Sequence, residues 1–242
     1  MRLTDFDALT FDCYGTLIDW EMGIYEGLRP LLARVGRPIP RDEALQTFAR
    51  HETEQEALTP AMPYSELLAV VHGRLVRDWG VPPDAEEDRR FGGSVPDWPA
   101  FKDSAPSLTY LKQHYKLVIL SNVDRASFRG SNAKLGMKFD AVYTAQDIGS
   151  YKPDQRNFTF MVARLRENGV APERILHTAQ SLFHDHVPAK AAGLACAWID
   201  RRHGWQGWGA TPPPPADVPV DFHFPSLAAM VEAHREALAD AG

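Results

Sequence analysis

Short apolar runs alternate with helical stretches in the second half of the chain, and the first half breaks that rhythm. Near the N-terminus ALTF (Ala8–Phe11) is short, apolar and β-prone, which predicts a buried strand ending at Asp12. From Asp19 to about Ala100, Leu28, Leu31, Leu32 and Val35 recur at helical spacing, as do Leu67, Leu68, Val71 and Leu75. Between them lies the polar, helix-favouring run RDEALQTFARHETEQEAL. Gly36, Pro38, Pro40, Pro60, Pro63 and Pro82–Pro83 punctuate this region, so it predicts several helices and no strand. After Pro99 the alternation begins. KLVILSN (Lys116–Asn122) has the unbroken apolar character of a strand covered on both faces. AVYTAQD (Ala141–Asp147), RILHTAQS (Arg174–Ser181) and LACAWID (Leu194–Asp200) predict further strands. RNFTFMVARL (Arg156–Leu165) and the stretch closed by AKAAG (Ala189–Gly193) predict helices between them. The Gly-, Trp- and Pro-rich segment Arg201–Pro219 predicts an extended loop before a last strand near Phe222, with Trp205 and Trp208 as a conceivable contact surface.

Strands alternating with helices imply an α/β fold with a parallel, Rossmann-like sheet, into which the helical region is inserted. The division this predicts is a core of residues 1–17 and 100–242 and a helical cap of 18–99. In such sheets function gathers outside the carboxyl ends of the strands. The first strand delivers Asp12 there, and the second delivers Ser121 and Asn122. Lys152 follows the third, and Gln180, Ser181 and Asp185 follow the fourth. A carboxylate at the end of a buried strand is costly unless the site uses it. With a lysine to keep it charged, that set suits nucleophilic catalysis by Asp12, with Ser121 fixing an anionic substrate group and Asp185 serving the water of a second step. The bland alternatives are a strand-end cap for Asp12, turn formation for Ser121 and Asn122, a solvated loop position for Lys152 and a helix N-cap for Asp185.

Composition narrows the partners. The 242 residues carry a formal charge of −6 with no Lys/Arg cluster, which argues against a nucleic-acid surface. No apolar run reaches membrane-spanning length, and the acidic N-terminus is no signal peptide, so a cytoplasmic location is expected. Two cysteines, Cys13 and Cys196, exclude a disulfide framework and argue against zinc. Alternation along the strand should turn Cys13 away from Asp12.

FDCYGTL, LSN, YKP and the later Asp-containing turn, taken in order, resemble the four motifs of the haloacid dehalogenase superfamily across roughly Leu3–Leu17 and Phe101–Phe224. The helical insert resembles that superfamily's cap. Phosphatases of the group carry a second Asp two positions after the nucleophile, as acid for the leaving alkoxide, and here Tyr14 stands there. A halide leaves without a proton. Phosphatases also commonly offer a Gly-Asp pair in the fourth motif, and here Gln180 and Ser181 stand there, which would cost magnesium a hard ligand. The pattern is similar to the (S)-2-haloacid dehalogenases, which need no metal or other cofactor. That resemblance implies a short 2-haloalkanoate substrate, an Asp12 ester hydrolysed by water, and a homodimer. It places Cys13, Tyr14 and Thr16, on the turn whose backbone N–H groups would hold the substrate carboxylate, in the binding shell with Ser121. It makes Asn122 and a cap arginine receive the halide, with Arg50 the first choice and Arg29, Arg34, Arg37 and Arg41 its competitors. Gln180, Ser181 and His184 complete the substrate shell, and no metal ligand is assigned. His184 and His186 flank Asp185, and either could tune it. Two departures bear on the substrate: Phe158 stands where those enzymes have a tyrosine, and Leu182 where they have an asparagine. A magnesium-dependent phosphatase, a hydrolase acting on another electrophilic carbon acid, and a catalytically silent binding protein are the competing readings.

Overall fold

In the computed structural model, which describes residues 1–240, six parallel strands form one sheet in the order β3-β2-β1-β4-β5-β6. They are β1 (Ala8–Phe11), β2 (Lys116–Ser121), β3 (Ala141–Thr144), β4 (Ile175–Ala179), β5 (Ala195–Ile199) and β6 (Phe222–Phe224). This is the doubly wound Rossmann order, with the chain reversing its direction of travel across the sheet at β1. All four residues of β1 are buried, because β2 and β4 flank it and helices cover both faces. Phe11 pairs in register with Ile119 and Thr178, so Asp12 emerges level with the ends of both neighbours.

Between β1 and the core's first helix the chain is helical: α1 (Trp20–Arg34), α2 (Arg41–Leu58), α3 (Tyr64–Asp78) and α4 (Ala85–Gly92). Leu28, Leu31, Leu67, Leu68, Val71 and Leu75 are fully buried, as their spacing predicts. The remaining helices are α5 (Ser104–Leu111), α6 (Arg125–Leu135), α7 (Ala145–Ile148), α8 (Gln155–Glu167), α9 (Val187–Ala191) and α10 (Leu227–Ala239). One boundary differs from the sequence pattern. AVYTAQD is strand only to Thr144, because Thr144 and Asp147 form a reciprocal cap that starts α7. The segment after β4 turns once as a π-helix, Leu182–His186, and Ser181, not Asp185, caps it by accepting a hydrogen bond from the His184 N–H.

The helical insert closes over the strand ends through specific contacts. The Tyr151 hydroxyl donates to the Met62 carbonyl, and the Ser65 N–H donates to Asp124 Oδ2 at 3.0 Å. Asn122 Nδ2 donates to Glu56 Oε1 at 3.1 Å. Among the described residues no helix is long and apolar enough to cross a membrane, and Cys13 and Cys196 are both buried free thiols.

Candidate active site

Asp12 sits past the end of β1, and the tight turn behind it depends on Gly15, whose φ of +93° suits only glycine. A side chain there would also meet Trp20 Nε1 and Gln180 Oε1 at 3.0 and 3.1 Å. The turn folds Thr16 back, so that its hydroxyl donates to Asp12 Oδ2 at 2.7 Å while accepting from the Gln180 N–H at 2.9 Å. Lys152 comes from the loop after α7 and is 1% exposed. Its ammonium donates to Asp12 Oδ1 at 2.9 Å, Asp185 Oδ1 at 2.6 Å and the Leu120 carbonyl at 3.1 Å. All three of its donors are therefore engaged.

The electrostatics follow from one cation shared by two buried carboxylates. Burial pushes Asp12 above the usual carboxylate range, against the Lys152 ammonium and the Thr16 hydroxyl, and the Asp185 charge adds to the rise. Burial acts on Asp185 in the same direction, but Lys152 and His177 overcome it and hold that carboxyl well below its ordinary value. Burial disfavours the Lys152 ammonium too, yet the two carboxylates raise its pKa.

His177, on the core side, is a residue that sequence reasoning missed. It lies within β4, where Nε2 meets Asp185 Oδ1 at 3.0 Å and Nδ1 meets Thr10 Oγ1 at 2.9 Å. The network assigns the proton to Nε2, with the Thr10 hydroxyl donating to Nδ1. A histidine in a strand buried on both faces was the available signal. Phe158, where the resembled enzymes have a tyrosine, packs edge-on against the His177 ring with centroids 5.1 Å apart.

A cavity of about 40 Å³ opens on Asp12. Tyr14, Asn122, Lys152, Gln180, Ser181, His184 and Asp185 line it, as the sequence predicts. Trp20, Glu52, Glu56, Tyr64, Val123 and Thr211 line it as well, and none of these was predicted. That volume holds about three water molecules or a ligand of a few heavy atoms.

Several predicted roles are corrected. The Cys13 side chain does not reach the cavity; it packs in the hydrophobic core, where burial pushes the thiol well up. Thr16 holds Asp12 and the Gln180 N–H, and is not free to bind substrate. Asn122 is spent on structure: its amide brackets the Lys152 backbone, accepting from the N–H at 2.7 Å and donating to the carbonyl at 3.0 Å, while its other N–H goes to Glu56. The Tyr14 hydroxyl is tied to Ser131 Oγ at 2.8 Å, and burial raises its pKa well above the usual phenol value against that bond, so the ring alone serves the cavity. Ser121 ends β2 just behind the cavity wall, its hydroxyl buried without a protein partner, as a donor awaiting a ligand would be. Among the described residues the N–H groups of Cys13 and Tyr14 are also unpaired. His184 is held by Ser181 Oγ, and burial pulls its pKa down to about 4, so it is neutral. His186 turns away, with Nε2 on the Ala179 carbonyl at 2.9 Å.

The arginine assignment fails. Arg50 lies on the outer face of α2, its side chain 53% exposed, and pairs with Asp78 at 2.9 Å and Glu54 at 3.7 Å. Arg29, Arg34 and Arg37 pair with Glu26, Glu87 and Glu43 elsewhere on the insert. Arg41 lines a separate cavity of about 450 Å³ beyond Trp20 and Gln180. The face that α2 turns to Asp12 instead carries Glu52 and Glu56, 3% and 7% exposed. Their signal was the phase of the helix: Leu45, Phe48, Glu52 and Glu56 continue one stripe at spacings of three and four. Burial lifts Glu52 to about 8, against a hydrogen bond from the Tyr64 hydroxyl. Burial, then the charge of Glu52, lifts Glu56 well up.

The haloacid dehalogenase-like hydrolase family model matches residues 6–193. An (S)-2-haloacid dehalogenase of Pseudomonas putida is 22% identical over 213 residues, covering 84% of this chain and 88% of the relative. The L-2-haloacid dehalogenase of Xanthobacter autotrophicus superposes with a TM-score of 0.74 at 19% identity, covering 95% of this chain and 98% of that one. YfnB, a HAD-hydrolase of Bacillus subtilis solved with magnesium bound, superposes with a TM-score of 0.75 at 16% identity, covering 97% of this chain and 100% of that one. Likenesses at these identities establish the shared fold and leave the chemistry to the residues. With the family model spanning β1 to β4, the turn after Asp12 and the Lys152 and Asp185 loops, the chain belongs to the haloacid dehalogenase-like hydrolases.

Proposed function

We propose that this hydrolase cleaves the carbon–halogen bond of a short halogenated acid without a metal, through an ester on Asp12, with residues 18–99 acting as the cap over the reaction. The observation that carries the reading is the pairing of a positioned carboxylate with a missing leaving-group acid. Asp12 is fixed by Lys152 and Thr16, while the Tyr14 hydroxyl is bound to Ser131. In the first step an Asp12 oxygen attacks the halogen-bearing carbon from behind. The C–O bond forms as the C–X bond breaks, and the electron pair leaves with the halide. In the second step water adds to the Asp12 carbonyl carbon, gives up a proton and releases the alcohol, restoring the carboxylate. Asp185 is the carboxylate positioned to orient that water, because its Oδ2 makes no protein hydrogen bond and it lines the cavity. Ser121 and the free N–H groups of Cys13 and Tyr14 are the donors open to a substrate oxygen.

A magnesium ion does not fit these residues. The Lys152 ammonium already occupies Asp12 Oδ1 and Asp185 Oδ1, and Gln180 Oε1 accepts from Thr211 Oγ1 at 3.2 Å. The test is halide release from (S)-2-chloropropionate, chloroacetate and fluoroacetate in EDTA, with p-nitrophenyl phosphate plus magnesium in parallel. Turnover in ¹⁸O-water should place the label in the Asp12 carboxylate, read by mass spectrometry of its peptide. Phosphate release with magnesium and no halide release would refute the reading.

A further inference from the structure

The cap places acid where a site for a purely anionic substrate needs base. The cavity on Asp12 holds one cation, Lys152, and two carboxylates, Asp12 and Asp185, already share it. Glu52 and Glu56 add two more carboxyl groups to the wall, and no arginine lines it. A 2-haloalkanoate would find no free cation on this wall. Glu52 and Glu56 lie four residues apart on one face of α2, each with a single protein donor on Oε1: the Tyr64 hydroxyl for Glu52 and the Asn122 amide for Glu56. Neither Oε2 has a hydrogen-bond partner among the described residues.

An independent observation points to a ligand at the same place. His184 is 8% exposed and lines the cavity, and its Nε2 is buried without a hydrogen-bond partner. That nitrogen lies 4.0 Å from Glu56 Oε2, too far for a hydrogen bond. A ligand nitrogen about 2.9 Å from each would bridge that gap. In the tautomer whose Nδ1–H donates to Ser181 Oγ, His184 Nε2 is an acceptor. Glu52 Oε2, Glu56 Oε2 and His184 Nε2 are then three open acceptors, and an alkylammonium carries three N–H donors.

We propose that this triad is an ammonium subsite, and that the substrate is a short haloalkyl compound bearing an amino group near the reacting carbon. This rests on the proposed carbon–halogen hydrolysis for the reaction and departs from it in the charged group the substrate carries, and binding can be tested alone. The other titratable groups on the cavity are Asp12 and Asp185, which Lys152 already pairs, and the phenols Tyr14 and Tyr64. Glu52, lifted to about 8 by burial, holds a proton at neutral pH that a bound cation would expel, and Glu56 is lifted in the same direction by burial and by Glu52.

The experiment is calorimetric titration of n-propylammonium and of propionate into the wild type and into Glu52→Gln and Glu56→Gln, at pH 7 in buffers of different ionisation enthalpy. The expected result is at least tenfold tighter binding of propylammonium than of propionate, with net proton release. Each Gln variant should lose tenfold or more of the amine affinity, since a charged acceptor is lost while its Oε1 bond is kept. Preference for propionate in the wild type, or amine binding without proton release and unchanged in both variants, would overturn the subsite. If a variant does not fold, the wild-type comparison decides. Halide release from 2-chloroethylammonium, corrected for the enzyme-free rate, is scored separately. Amine binding without halide release sustains the subsite and counts against carbon–halogen hydrolysis.

Discussion

Lys152→Met isolates the charge that holds the site together. Methionine keeps the unbranched length and removes the ammonium that lies 2.9 Å from Asp12 and 2.6 Å from Asp185. Two nearly dry carboxyls would then face one another, supported only by Thr16 on one and His177 on the other. Removing one partner of a buried ion pair costs about 3–5 kcal/mol, because the remaining charge is stranded. The pH dependence identifies the cause. In the wild type the folded value of Asp185 lies below its unfolded value, near ~3.9. Its contribution is present above that value and lost as pH falls through the folded value. Lys152, raised in the folded state, contributes below its unfolded value of ~10.4 and loses that contribution as pH rises through the folded one. Asp12, pushed up by burial, already opposes folding weakly as pH rises. In the variant both carboxyls sit above their unfolded values. Between the two values the folded chain holds a proton that the unfolded chain has released. Stability then falls by about 1.4 kcal/mol per pH unit for each carboxyl. Urea unfolding followed by circular dichroism at pH 5, 6, 7 and 8 should show the deficit against wild type widening as pH rises. Parallel curves, or a loss under ~1 kcal/mol at pH 7, would show that Lys152 does not neutralise these carboxylates.

Asp12→Asn should abolish halide release while keeping the fold, since an amide cannot displace a halide; residual turnover with ¹⁸O in the product alone would move the nucleophile to water. Tyr14→Phe should cost about 1 kcal/mol through the lost Ser131 bond and leave turnover within a few-fold, whereas a large loss would make the hydroxyl an acid after all. Arg50→Ala should cost under ~1 kcal/mol and leave kcat/KM unchanged, because its partners lie on the exposed side of α2; a tenfold fall in kcat/KM would return it to the site.

The strand ends were legible because the physics there is local. An apolar run that stops on Asp12, on Ser121 and Asn122, or on Gln180 and Ser181 announces its carboxyl end, and parallel topology gathers those ends at one edge. His177 escaped because its meaning lies across the sheet, in Thr10 and in the π-turn that brings Asp185 back over β4. The insert was harder for a different reason. Arg50 was chosen by charge type, yet it stands two residues from Phe48, about 200° around the helix, which turns it outward. Phase puts Glu52 and Glu56 on the inner face instead, where the apolar stripe of α2 gives way to acid.

That exchange separates two properties of the site. Asp12, Lys152, Thr16 and Asp185 are held by the sheet, and they determine the bond-making step for any electrophilic carbon brought to Asp12. The insert determines which molecule is brought. A wall whose one cation, Lys152, is fully engaged offers no counter-charge to a ligand whose only charge is negative. The same wall favours a ligand that supplies its own cation. An acidic cap over Asp12 is matched by a substrate that brings its own positive charge and lets the glutamates ionise, and this makes the amine-bearing compounds the first to try beside the halogenated acids.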